Sequence, residues 1–179
     1  MIRRMGCVIV TGVPGAGKST VCPLLAARYE RAAHIDGDVV SYMVASGRVS
    51  PIGRPVEESR RQTRLLFRNM CMLAANFADE DITPVMEYVV PDRWTLDFMV
   101  ERLRPLPVMF VVLAPPLEVC ERRNAGRSER ERVDYGFGGL YRSMREELGG
   151  VGWWLDTSGL TPEETAAVIA EHAEDRALV

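Results

Sequence analysis

Three features of this 179-residue chain predict a doubly wound α/β fold around a five-stranded parallel sheet. A strand, a glycine-rich loop and a helix follow one another directly over residues 7–29. Short apolar runs and helical periodicities then alternate to the end of the chain. One run, Val108–Leu113, is apolar throughout, as expected of a strand covered on both faces of a parallel sheet. The length suits one domain over 1–179 with a real core and is short for two. In such sheets ligands bind at the C-terminal edge of the strands.

The first strand is the run Cys7-Val8-Ile9-Val10, and the helix after the loop carries Val21, Leu24, Leu25 and Arg28-Tyr29 at helical spacing, with Pro23 in its first turns. A second strand, Ala32-Ala33-His34-Ile35, stops at Asp36-Gly37-Asp38. A short helix is expected over 39–46. Residues 47–55 hold Gly47, Pro51, Gly53 and Pro55, too many breakers for regular structure, so they read as a mobile or substrate-covering loop. The substrate-covering region as a whole spans about 39–70. Over 57–79 the positions Leu65, Leu66, Met70, Leu73 and Phe77 keep one helical face. The third strand is expected over 83–90, and a helix after Pro91-Asp92 to about Arg104. After Val108–Leu113 a helix starts at Leu117, and 126–139 is polar, arginine-rich and glycine-bearing, the makeup of a lid. A helix over 140–148 precedes a last strand at 153–156. Thr161-Pro162-Glu163-Glu164 then supplies an N-cap, a proline at the first helical position and a capping-box glutamate for a helix running to the tail.

Lys18 is the only lysine of the chain, and every other strongly basic side chain is arginine. A compact ammonium reaching between two phosphates cannot be replaced by a broad planar guanidinium, so this exception marks a site. Lys18 lies in Gly-Val-Pro-Gly-Ala-Gly-Lys-Ser-Thr, residues 12–20, a complete phosphate-binding loop. Backbone N–H groups of such a loop wrap the phosphates of ATP or GTP, and the Ser19 hydroxyl holds Mg²⁺. Gly12, Pro14, Gly15, Ala16, Gly17, Lys18, Ser19 and Thr20 therefore form the expected nucleotide site, facing a helix N-terminus.

Composition narrows the partner. A net charge of −3 argues against a dedicated nucleic-acid binder, whose affinity comes largely from neutralising phosphates, and favours a small molecule. Cys7, Cys22, Cys71 and Cys120 lack metal-ligand spacing and sit in or beside apolar segments, as small core residues of a reducing compartment do. No apolar stretch after Arg3-Arg4 is long enough for export and none later could span a membrane, so a cytoplasmic protein is expected. The oligomeric state is not legible.

A phosphate loop fixes the nucleotide, and its surroundings decide the reaction. Asp36 and Asp38, two apart at the end of an extended strand, can point to one side. One carboxylate can take a substrate hydroxyl proton while the other orients Mg²⁺ or its waters. Asp38 can also cap the helix that begins at Val39. Glu87 is an expensive charge for a buried strand unless it sits at the functional edge, as a substrate or metal-shell residue, or is paired with an arginine. Arg123 and Arg127, four apart, would share a helix face and reach the transferring phosphoryl group, with Arg122, Arg130 and Arg132 nearby. Arg48, Arg54, Arg60, Arg61, Arg64 and Arg68 make 48–68 basic, which suits an anionic substrate or a solvated face. Val39, Tyr42, Met43, Tyr88 and Trp94, with Asp38 and Glu87 as polar points, would wall a pocket for a partly apolar, hydroxyl-bearing molecule the size of an antibiotic or nucleoside.

The loop, Asp36-Gly37-Asp38, the Arg123-Asn124-Ala125-Gly126-Arg127 segment and the ending Trp154-Leu155-Asp156-Thr157-Ser158 before a capped helix resemble the small P-loop kinases that phosphorylate hydroxyls of metabolites or antibiotics. Chloramphenicol phosphotransferase and gluconate, shikimate and adenylylsulfate kinases are of this kind. The resemblance implies a P-loop kinase-like fold with a lid, Asp38 as the leading general base, Asp36 near Mg²⁺, and the 156–159 loop, with Thr157, beside the nucleotide base. It implies a phosphotransferase acting on a small-molecule alcohol, with antibiotic resistance as one setting. Two other readings use the same residues: a kinase of polynucleotide 5′-hydroxyl ends, and a nucleotide-dependent switch or binding module. The switch reading lacks an Asn-Lys-x-Asp guanine reader.

Overall fold

The computed structural model describes residues 6–129 and 132–179, so Arg3, Arg4 and Arg130 lie outside the described residues. Five strands, β1 (Cys7–Thr11), β2 (Ala32–Asp36), β3 (Thr83–Glu87), β4 (Val108–Leu113) and β5 (Trp153–Leu155), form one parallel sheet in the order β2-β3-β1-β4-β5. The middle strand β1 is buried at all five positions and β4 at all six, which accounts for their unbroken apolar sequence.

Seven helices connect the strands among the described residues: α1 (Lys18–Ala26), α2 (Gly37–Tyr42), α3 (Val56–Asp79), α4 (Arg93–Leu103), α5 (Leu117–Ala125), α6 (Gly138–Leu148) and α7 (Pro162–Arg176). From β1 the chain moves two places along the sheet to β2, then reverses. Right-handed crossovers therefore send α1 to one face and α3 to the other. Accordingly α1 packs on α7, while α3 packs on α4. The reversal between β1 and its neighbours puts the phosphate loop and the β2–α2 junction at one edge.

Several boundaries move for local reasons. α2 begins at Gly37 because the caps differ from expectation: Asp36 Oδ1 accepts the N–H groups of Asp38 (2.7 Å) and Val39 (3.4 Å), so Asp36, and not Asp38, caps this helix. Asp38 thus stands in a helical first turn and the two carboxylates do not share a strand face. β3 ends at Glu87, since the Val90 N–H is taken by Thr11 Oγ1 at 2.8 Å and no longer by a strand partner. α1 ends at Ala26, and Arg28 and Tyr29 continue only as turns onto Leu25 and Ala26. The 126–139 segment loses Gly138 and Gly139 to α6. The last helix stops at Arg176, after which the tail runs beside β4. The Phe110 N–H donates to the Ala177 carbonyl (2.7 Å) and the Val179 N–H to that of Val108 (3.0 Å), supporting the half of β4 that the short β5 leaves uncovered.

The expected capping box is present: Thr161 Oγ1 accepts the Glu164 N–H and Glu164 Oε2 accepts the Thr161 N–H. Such a cap stabilises by about 1 kcal/mol. All four cysteines are free and buried, and burial pushes their thiols up, Cys71 to about 12. They are unreactive core residues, as the sequence suggests. No described helix is long and apolar enough to cross a membrane.

Candidate active site

The phosphate loop leaves β1 and enters α1 through Gly17, which has φ +108° and no side-chain cap. A Cβ at Gly17 would have nothing closer than 4.0 Å, so the requirement here is the left-handed backbone and a bare helix N-terminus. Gly15 is held for a second reason: its φ is +80° and a Cβ would collide with the Cys120 carbonyl of α5. The loop is thus wedged against the helix that carries Arg123. Lys18 is half-buried, and its Nζ donates to the carbonyls of Gly12 (2.7 Å) and Val13 (3.3 Å). Burial lowers its pKa, with the Glu87 charge as the main opposing influence. Glu87, Arg127 and Asp38 therefore all lie within electrostatic reach of Lys18 at the sheet edge.

Asp38 is the outermost of this group. Partial burial raises its carboxyl above the usual range and Asp36 adds to the rise, while Lys18 and Arg48 pull the other way. Glu87 is 2% exposed and its register partners are Val10 of β1 and Asp36 of β2. Its partner is not an arginine. His34 Nε2 lies 2.9 Å from Glu87 Oε1, and that bond raises the imidazole pKa. The sequence treats His34 only as a strand residue, because the register that sets it diagonal to Glu87 is a property of the pairing.

Arg123 joins two parts of the site. Its Nη1 donates to the Ala16 carbonyl of the phosphate loop (3.4 Å) and its Nη2 to the Thr157 carbonyl after β5 (3.2 Å). Thr157 is 3% exposed and its Oγ1 has no hydrogen-bond partner among the described residues. A buried hydroxyl left open at the loop expected to border the base is a group that a ligand can satisfy. The shared helix face of Arg123 and Arg127 is not observed: α5 stops at Ala125, and Arg127 follows in a turn onto Asn124. The base of the 126–137 segment is fixed by Asn124, whose Nδ2 donates to the Val133 carbonyl (2.9 Å) and whose Oδ1 accepts the Val133 N–H (3.1 Å).

The surface expected from the sequence to take an acceptor is exposed and largely apolar. Val39 and Tyr42 of α2 and its C-cap Met43 are 57%, 65% and 67% exposed. Tyr88 is half-buried: its ring fills the space a side chain at Gly37 would need and meets Phe67 edge-on at 5.7 Å, so it braces the start of α2. Trp94 is drawn along α4, stacked on Phe98 at 5.4 Å. Tyr135, not singled out from the sequence, and Arg48, read there only as one of six arginines in a basic segment, join this side. Tyr135 from the 126–137 segment lies within electrostatic reach of Asp38 and Tyr88, and Arg48 lies within reach of the same pair. The 47–50 stretch is also tied down, since Ser59 Oγ donates to the Ser50 carbonyl at 2.7 Å. A separate cavity of about 430 Å³ opens past the ends of β4 and β5, lined by Tyr141, Arg145, Trp154 and Asp156 among others. No phosphate-loop residue lines it.

A family profile described as an AAA domain matches residues 11–136, from the end of β1 through the segment that carries Tyr135. Solved structures share the fold along nearly the whole chain. A sugar kinase from Janibacter sp. HTCC2649 is 21% identical with a TM-score of 0.70, over 96% of this chain and 95% of that one. An APS kinase from Mycobacterium tuberculosis, solved with AMPPNP and APS, is 18% identical with a TM-score of 0.67, over 96% and 99%. A tunicamycin resistance protein from Deinococcus radiodurans is 17% identical with a TM-score of 0.68, over 98% of each chain. The chain belongs to this AAA-domain family and has the fold of the small P-loop kinases.

Proposed function

We propose that this family member is a cytoplasmic, single-domain phosphotransferase that moves the γ-phosphoryl group of ATP or GTP to a hydroxyl of a small molecule. The observation that carries the reading is the placement of Asp38. It stands in the first turn of α2, within electrostatic reach of the phosphate-loop lysine and beside an open apolar surface.

In this reading the loop N–H groups and the α1 N-terminus bind the phosphates, and Lys18 leaves its carbonyl partners to balance charge on the β- and γ-phosphates. Asp38 accepts the proton of the acceptor hydroxyl. The hydroxyl oxygen bonds to the γ-phosphorus as the bridging P–O bond breaks, and that electron pair leaves with the nucleoside diphosphate. Arg123 and Arg127 stabilise the transferring group. Ser19 and Asp36 would hold Mg²⁺, and the donor set fits: both are hard oxygen donors, and Asp36 spends Oδ1 on capping, which leaves Oδ2 for the cation or its waters. When bound, that ion supplies charge neutralisation on the phosphate oxygens. Thr157 would border the base. The 126–137 segment would close over the acceptor and exclude water, with Tyr135 on its inner side.

The acceptor surface of Val39, Tyr42, Met43 and Tyr88, with Asp38 and Glu87 as its polar points, suits a partly apolar alcohol such as an antibiotic or nucleoside. The test offers metabolites, antibiotics, nucleosides and a 5′-hydroxyl oligonucleotide with ATP or GTP and reads added phosphate by mass, at low and moderate salt. Phosphate on a small molecule with little salt dependence supports the reading. Phosphate only on the oligonucleotide, falling steeply with salt, replaces it with the polynucleotide kinase. Nucleotide binding without transfer to anything replaces it with the binding module.

A further inference from the structure

Six arginines crowd residues 48–68, and the structure separates one of them from the rest. Arg60 and Arg61 pair with Glu57 and Glu58 on their own helix, as solvated-face arginines do. Arg48 instead lies over the Tyr42 ring, its guanidinium carbon 4.1 Å from the centroid, with Nη1 donating to Ser41 Oγ at 3.5 Å. Its charge reaches Asp38 and Tyr88.

The peptides on both sides of Arg48 are fixed by a single side chain. Gln62 Oε1 accepts the Val49 N–H at 2.8 Å, and Gln62 Nε2 donates to the Gly47 carbonyl at 2.8 Å. The same Nε2 donates to Glu58 Oε1 at 2.7 Å, and Glu58 is held in turn by Arg61. An amide on α3 thus sets the residue before Arg48 and the residue after it. A surface arginine covering a tyrosine needs no such frame. Close to a general base, moreover, a cation lowers the basicity the reaction uses, a cost without return unless its field acts on something else. One face of the guanidinium is stacked, so its in-plane N–H edge remains to meet an anion in a fixed orientation.

We propose that Arg48, positioned by Gln62, recognises the acceptor, and that the acceptor carries an anionic group, carboxylate or phosphate-like, beside the hydroxyl that is phosphorylated. This inference rests on the kinase reading and names the substrate class of the same site.

The experiment saturates the protein with AMPPNP and Mg²⁺, so that the phosphate loop is filled, then titrates acetate and sulfate separately as probes. The readout is the Nε–Hε resonance of Arg48, assigned by its loss in Arg48→Lys. A saturable shift is expected with at least one anion, weakened about tenfold in Gln62→Ala, the scale of a lost hydrogen bond to a charged group. Gln62→Glu, which keeps the side-chain size and the acceptor for Val49 but cannot donate to Gly47, should weaken it too. Saturation by acetate alone assigns a carboxylate, and by sulfate alone a phosphate-like group. A linear, unsaturating shift matching that of exposed Arg64 overturns the inference while the kinase reading stands. Saturation unchanged in both Gln62 variants overturns the positioning role. Failure of both AMPPNP and its guanine counterpart GMPPNP to bind defeats the kinase reading and this inference together.

Discussion

Around Lys18 the chain is held by its own backbone, and around Asp38 it is held by side chains from distant segments. The phosphate loop takes its shape from left-handed glycines and from carbonyls of β4 and α5, with Arg123 stitching Ala16 to Thr157. The acceptor side is framed by Gln62 of α3, Tyr88 after β3 and Tyr135 of the 126–137 segment, and much of its surface is open. A loop built on backbone tolerates one sequence, whereas a surface built on side chains can be re-cut for a new partner without disturbing it. On the proposed reading nucleotide chemistry and acceptor choice are separable, and mutations on the two sides should differ in what they change.

The largest effect is expected at the rigid side. Lys18→Ala should reduce phosphoryl transfer by roughly 10³- to 10⁵-fold, the scale for removing a positive charge from a transferring phosphoryl group, with the fold intact. Lys18→Arg should do nearly as badly because a guanidinium does not fit the loop. Single-turnover measurement with a found acceptor decides this, and near-normal transfer by the arginine variant would break the comparison at its base. Next comes Asp38→Asn, with turnover down about 10²- to 10⁴-fold and nucleotide affinity little changed, since a lost general base leaves binding alone. Asp36→Asn should instead raise the Mg²⁺ requirement, because asparagine still caps α2. If titrations with Mg²⁺ show the two phenotypes exchanged, the base and the metal residue swap roles.

Arg123→Ala belongs to the rigid side but should cost less, lowering turnover by roughly 10²-fold, as for one donor to a developing charge. Nucleotide affinity should fall less. Protease cutting within 126–137 should slow only when nucleotide and acceptor are both present. Cutting indifferent to ligand would leave the closing segment without support.

The same contrast explains what the sequence could say. β4 and the phosphate loop were legible because each is dictated locally, one by an apolar run buried on both faces and the other by glycines whose dihedrals no other residue adopts cheaply. The capping box of α7 was legible for that reason also. Asp36 and Asp38 were found as a pair at the strand end, but their geometry was misjudged, since the helix begins at Gly37, before the expected start at Val39, and takes Asp38 into its first turn. The His34 partner of Glu87, the frame Gln62 builds around Arg48 and the approach of Tyr135 to Asp38 are juxtapositions of residues far apart in the chain. No local signal carries them. Arg127 was misplaced by a helix that ends two residues early.

The smallest expected effect is one of sign, and it concerns Asp38 before any ligand binds. Its carboxyl is raised by partial burial first and by the Asp36 charge next, against the pull of Lys18 and Arg48. A carboxyl whose folded pKa exceeds the ordinary value of about 3.9 holds its proton more tightly folded than unfolded, so stability falls as pH rises through that window. An asparagine has no proton to lose. Asp38→Asn should therefore match the wild type in urea unfolding near pH 3 and exceed it slightly near pH 7, while being the poorer catalyst. The effect is small because an acidic residue in the first turn of α2 also gains from the helix N-terminus. That gain, like the attraction of Lys18 and Arg48, favours the ionised form and works against the effect. A gap that widens with pH means that burial and Asp36 prevail and that the base is held at a cost to the fold. A gap that closes or reverses means that the cations and the helix prevail, and Asp38 would then belong with the stabilised side of the site.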